Sequence, residues 1–65
     1  MFVLYDSTLF EGKERGYFDK RLYPHWVDSV YKAYPYNEDE YDEAVKDAEL
    51  WNKAEGYNLK VVEIE

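Results

Sequence analysis

The chain has 65 residues, which is one domain spanning 1–65 and too short for a large core; a chain of this size buries only about 60% of its unfolded surface. It has no cysteine, which excludes disulfides and thiolate metal sites. Its net charge of −7 excludes the basic footprint of a protein that binds nucleic acid directly.

Aromatic residues make up 20% of the chain. They supply apolar area that a small fold otherwise lacks, and they argue against disorder. No run approaches the ~20 apolar residues of a membrane span, and no signal peptide is visible, so a cytoplasmic protein without a membrane partner is expected.

In chain order, Met1-Phe2-Val3-Leu4-Tyr5 reads as a strand. Apolar residues on both of its faces place it inside a sheet. Residues 9–16 read as a loop with a hairpin connection, where glycine supplies any positive φ. Leu9 and Phe10 within it either continue the first strand, fold back over the core, or form an exposed contact tip.

Residues 16–23 read as the second strand, with Phe18 and Leu22 on one face and Pro24 as its end. Asp28 is placed to cap a short helical turn over residues 28–33. Tyr34-Pro35-Tyr36 is extended, since the residue before proline is pushed towards β, and it suits a short third strand at an edge.

The strongest signal is a helix over residues 38–54. Asn37 and Glu40 have the spacing of a capping box, although such a box prefers Ser or Thr first. Tyr41, Ala44, Val45, Ala48 and Trp51 follow the rhythm of one buried face. Gly56 stands where a left-handed cap closes a helix. A last strand over residues 58–65 carries the β-branched run Val61-Val62-Glu63-Ile64. The sum is a small α+β fold: an antiparallel sheet of three to four strands with one amphipathic helix on one face. The helix is expected to pack on Phe2 or Val3, Phe18, Val62 and Ile64.

Charge is divided unevenly along the chain. Residues 1–36 carry five acids and five bases, whereas residues 37–65 carry ten acids and three bases. The whole imbalance therefore sits in and after the helix. Asp42–Lys46 and Glu49–Lys53 have the favoured i,i+4 orientation for ion pairs. Asp39, Glu43 and Asp47 form an acidic row without a lysine along it, flanked by Glu40, with Leu50 on the same side. Repeated anions on a rigid rod can imitate a phosphate strand, and the alternative is a solvated face that keeps the protein soluble. Tyrosine and tryptophan are frequent at interfaces, which adds Trp26, Tyr34 and Tyr36 to the expected contact residues.

Nothing in the sequence points to catalysis. His25 is the only histidine, and Ser7, Thr8 and Ser29 lack a nucleophile context. The acids at 38–43 lack the central glycine of a calcium loop. Paired carboxylates for glycoside cleavage need a substrate cleft, for which 65 residues leave little room. The reading is a non-enzymatic module with no metal and no cofactor. Its expected partner is a protein with a basic surface; a homodimer built on aromatics or on the edge at residues 34–36 is the alternative.

Gly16-Tyr17, Trp26, Asp28, Ala33, Tyr36, Asn37, Ala44 and Val61-Val62-Glu63 together resemble the pattern of small phage and prophage proteins of β-β-(β)-α-β order. Most such proteins have no assigned function. The resemblance implies a class that includes small acidic inhibitors of host defence or DNA-handling enzymes.

Overall fold

The computed structural model describes residues 1–64. A four-stranded antiparallel sheet carries one α-helix on one face, which is the expected α+β class. In chain order the strands are β1 (Phe2–Phe10), β2 (Lys13–Phe18), β3 (Trp26–Val27) and β4 (Leu59–Glu63), and the helix α1 (Tyr41–Glu55) lies between β3 and β4. Across the sheet the order is β3-β2-β1-β4, with β1 central.

β1 is longer than the sequence suggested. It runs on through Leu9 and Phe10 and turns at Glu11 and Gly12, whose φ angles of 53° and 83° are both positive. A two-residue connection with this backbone matches the natural twist of a hairpin. Residues 13–15, expected in a loop, therefore belong to β2. Leu9 and Phe10 do not cover the core; they are 70% and 63% exposed. Between the pairs Asp6–Gly16 and Leu9–Glu14, β1 carries two residues where β2 carries one. This is a β-bulge, which bends the outer hairpin.

β2 stops at Phe18 rather than running to residue 23. The side chain of Asp19 accepts the backbone N–H of Arg21 at 2.9 Å, and this local turn competes with the ladder. Leu22 is left exposed. The turn contains a cis Tyr23–Pro24 bond. The chain then returns as β3, a two-residue strand that pairs Trp26 with Phe18 and Val27 with Tyr17.

Ser29, not Asp28, caps the following 3-10 turn at Val30–Lys32, by accepting the N–H of Tyr31. The extended residues 34–36 do not make an open edge. Tyr36 exchanges two backbone hydrogen bonds with Phe2, at 2.7 and 2.8 Å, and so fills the place beside β1 that β2 has left. Both hydrogen-bonding groups of Tyr36 are thereby used, which removes it from any edge-to-edge dimer.

A 3-10 turn at Glu38–Glu40 leads directly into α1. The carboxylate of Glu40 accepts the N–H of Asn37 at 2.7 Å, the reach-back half of a capping box. Gly56, at φ 71°, closes the helix by donating to the carbonyl of Asn52. Ala44 and Ala48 are buried, Val45 and Trp51 partly so, and Tyr41 lies at the margin with its ring edge-on to Phe2.

The small alanines let the helix approach the sheet, so the core is filled mainly from the other side, by Leu4, Phe18, Tyr36 and Leu59. Val61 packs against this cluster. Val62 is paired with Val3 on the opposite face, and by alternation Ile64 shares that face. The expected packing of Val62 and Ile64 on the helix is therefore off by one residue, which exchanges the two faces of a strand. Val3 is buried under the segment that carries Val30, Ala33 and Pro35. Glu65, at the end of the expected last strand, lies outside the described residues.

Candidate functional site

The expected contact residues divide into three groups. Asp39 and Glu43 are exposed on the outer side of the helical segment, and Leu50 is 62% exposed on the same side. Asp42, Glu49 and Glu55 add exposed carboxylates, against the exposed lysines Lys46 and Lys53. Among the described residues neither Asp42–Lys46 nor Glu49–Lys53 closes to ion-pair distance. Glu40 is half-buried and occupied with the cap.

Asp47 is not an unpaired member of the row. Lys20, in the turn after β2, reaches its carboxylate at 2.7 Å, and the Tyr36 hydroxyl donates to the same oxygen at 2.6 Å. Burial pushes the Asp47 carboxyl up, but these two donors outweigh it and hold the group below its ordinary value. The Asp47 hydrogen bond holds the Lys20 ammonium above its own ordinary value. Burial, reinforced by the anionic acceptor, pushes the Tyr36 hydroxyl far up.

Tyr36 is fully buried, so it is a core residue and not a contact residue. Tyr34 is half-buried and stacks under two cations, with Lys20 at 4.7 Å and Arg21 at 5.0 Å from its ring. Arg21 itself is held by a two-pronged contact with Asp19, at 2.9 and 2.7 Å. Those hydrogen bonds lower the Asp19 carboxyl despite its burial.

Trp26 lies away from the helix face, in an aromatic cluster with Phe18 and Tyr57. His25 joins the margin of that cluster, with ring centres 4.7 Å from Trp51 and 5.1 Å from Phe18. Its Nδ1 lies 3.3 Å from the carbonyl of Asp19. The ring is packed on aromatics, as a loop histidine in a small fold is expected to be.

Two features were missed in the sequence. The first is Asp6, which is fully buried. Its carboxylate accepts the backbone N–H groups of Thr8 and Asn58, each at 2.8 Å, and a guanidinium N–H of Arg15 at 3.3 Å. Burial raises its carboxyl, and these donors together with the Thr8 side chain more than reverse the effect. The second is a cleft of about 360 Å³ lined by Phe10, Lys13, Glu14, Arg15, Trp26 and Tyr57. A Phe-Glu-Gly-Lys run was the signal available, since its glycine takes the positive φ of a tight turn, and the two-residue turn sets Phe10 and Lys13 opposite each other.

Among the described residues no three His, Cys, Asp or Glu side chains gather in a metal-binding group. None of the described helices is long and apolar enough to cross a membrane. The chain matches no protein-family model, no curated protein and no solved structure.

Proposed function

We propose that this protein is a non-enzymatic interaction module that docks on a basic surface of a protein partner through the outer face of α1. One observation carries the reading. Four of the five bases in residues 1–36 close on internal acids, as Arg15–Asp6, Lys20–Asp47, Arg21–Asp19 and Lys32–Asp28. The excess negative charge is thus left largely to the helical segment, whose exterior exposes Asp39, Asp42, Glu43 and Glu49, with Leu50 exposed on the side of Asp39 and Glu43 and the lysines Lys46 and Lys53 one turn to either side of it.

Anions on a rigid element steer a basic partner and set its orientation. An apolar side chain among them supplies the desolvated centre that binding energy needs. A partner that normally holds a phosphate backbone presents the complementary surface, and occupancy of that groove is the mechanism. This is the action of a phage-type inhibitor working in the cytoplasm.

The salt dependence of binding tests the proposal. Affinity for the captured partner is expected to fall steeply between 50 and about 500 mM salt, because exposed charges further apart than a Debye length are screened. Affinity that is flat with salt would reject the acidic-face mechanism.

Self-association is the second reading. The exposed Leu9 and Phe10 on the hairpin favour it, and a concentration-dependent mass in light scattering would support it over the first.

A further inference from the structure

β4 is an outer strand of the sheet, and its ladder with β1 fixes which of its residues face the open edge. Ile64 donates its N–H to the Met1 carbonyl at 2.7 Å, so Val62 and Lys60, two and four residues earlier, also bond towards β1. The N–H and C=O groups of Leu59, Val61 and Glu63 therefore point outward. Leu59 is already served, because the Asn52 side chain donates to its carbonyl and accepts its N–H, as a strand residue would. Among the described residues no group takes this place beside Val61 or Glu63. The strand contains no proline, and its register with β1 is unbroken from Phe2–Glu63 to Asp6–Leu59. Two of the usual guards of a sheet edge, proline and a bulge, are thus absent from β4.

The helix flanks this edge. Asp42, Val45, Glu49 and Asn52 stand three and four residues apart and form one row along α1. Asn52 holds the row beside Leu59, and Tyr41, stacked on the Phe2 that pairs with Glu63, holds the helix start near the other end of β4. Val61 packs on the core under the helix, and by alternation Glu63 carries its side chain on that same face. The strip between row and edge thus carries the half-buried Val45 and Val61 and the exposed carboxylates of Asp42, Glu49 and Glu63. Lys60 points to the opposite face of the sheet, and Lys46 and Lys53 lie on the solvent side of the row. None of these lysines closes an ion pair among the described residues.

An extended chain laid antiparallel to β4 would exchange backbone hydrogen bonds with Val61 and Glu63. Its residues opposite those two would place their side chains on the helix face. Lysine or arginine suits both positions, with the stem on Val45 and Val61 and the charge at Glu49, or at Asp42 and Glu63. A second copy of this chain does not suit them. Two β4 edges paired antiparallel would set both helices on one side, with Glu63 and the acidic rows brought together in chains of net charge −7. We infer that the open edge of β4 takes an extended basic segment of a protein partner as an added strand, with lysine or arginine at alternate positions. The inference does not rest on docking through Asp39, Glu43 and Leu50, which lie on the other flank of α1.

Titration of the full isotope-labelled chain with acetyl-Lys-Val-Lys-amide, followed by NMR, tests the inference. The largest shifts are expected at the backbone N–H groups of Val61 and Glu63. N-methylation of either lysine nitrogen blocks a donor that faces β4 and should weaken binding at least about tenfold, whereas N-methylation of the valine nitrogen, which faces away, should leave it unchanged. Glu63→Lys, at an exposed position, should weaken it about tenfold. Asp39→Lys with Glu43→Lys should bind the peptide like wild type, which separates this site from the α1 exterior.

Four results would overturn the inference. One is the absence of shifts at Val61 and Glu63 at millimolar peptide. Another is an equal response to acetyl-Glu-Val-Glu-amide. A third is indifference to the position of the N-methyl group, which would reduce the contact to charge alone. The last is movement of the same signals with protein concentration alone, which would assign the edge to a second copy of this chain.

Discussion

Lys20 and Asp47 are joined across the molecule at 2.7 Å between Nζ and Oδ2, and this contact ties the turn after β2 to the middle of α1. It withdraws Asp47 from the acidic exterior and gives it a structural role. Tyr36 shares the same carboxylate oxygen, so the three residues act as one unit. Asp47→Ala leaves a partly buried ammonium and a buried hydroxyl without their acceptor. The expected cost is about 1–3 kcal/mol in urea unfolding. Tyr36→Phe removes one donor and leaves the ion pair, and should cost less, about 0.5–1.5 kcal/mol from the hydrogen bond. Equal stability of Asp47→Ala and wild type would show that the contact contributes nothing.

Asn52 fixes the start of β4 to the last turn of α1. Its side chain donates to the carbonyl of Leu59 at 3.1 Å and accepts the Leu59 N–H at 2.7 Å. Leu59 is buried, so both backbone groups lose their partner in Asn52→Ala. A loss of about 1–3 kcal/mol is expected, with faster hydrogen exchange at Leu59. Asn52→Asp should retain the acceptor and lose the donor, and should fall between the two.

Gly16 and Gly12 both have positive φ, at 101° and 83°, but their surroundings differ. A Cβ at Gly16 would meet the Val27 carbonyl oxygen at 3.1 Å, whereas a Cβ at Gly12 meets nothing within 4 Å. Gly16→Ala therefore combines backbone strain with pressure on β3, and is expected to cost roughly 1–3 kcal/mol. Gly12→Asn should be close to neutral, because asparagine tolerates the left-handed turn. Thermal unfolding of the two variants checks the order, and a larger loss for Gly12→Asn would contradict it.

Stability should decline in acid. Asp6, Asp19 and Asp47 all have their carboxyls held below the ordinary value in the folded chain. The unfolded chain then takes up protons first as pH falls. The stabilisation is fully present above the unfolded carboxyl value of about 4 and is lost as pH drops through the lower folded values. Asp6→Asn removes one of these groups and should flatten the acid limb of a stability–pH curve. An acid limb of unchanged slope would show that Asp6 is not linked to folding.

Features fixed by neighbours in the chain were readable from sequence. Asn37, Glu40 and Gly56 bracket the helix because each acts within a few residues of itself. The hairpin was read too short because its charges at residues 11–15 look like a loop. On an arm with both faces in water, charge and strand are compatible, and the Glu-Gly turn decides the register. The facing of β4 was misread because Val61 and Val62 are equally apolar, so alternation does not say which one points to the helix.

The site was only partly legible for a different reason. Whether Asp39, Glu43 or Asp47 is free depends on what reaches it from elsewhere. Lys20 lies 27 residues before Asp47, and no local spacing links them. Asp6 stands beside Ser7 and Thr8, in a run of residue types that favour turns, yet it is buried and bonded to Asn58 and Arg15, which only the fold brings near.

The most direct test of the proposed function is charge reversal on the helix exterior. Asp39→Lys with Glu43→Lys changes two exposed residues that make no ion pair among the described residues, so the fold should be retained and a circular dichroism spectrum like wild type is expected. Binding to the partner captured from the native cell should fall by at least about tenfold and lose most of its salt dependence. Undiminished binding by the folded double variant would contradict the account.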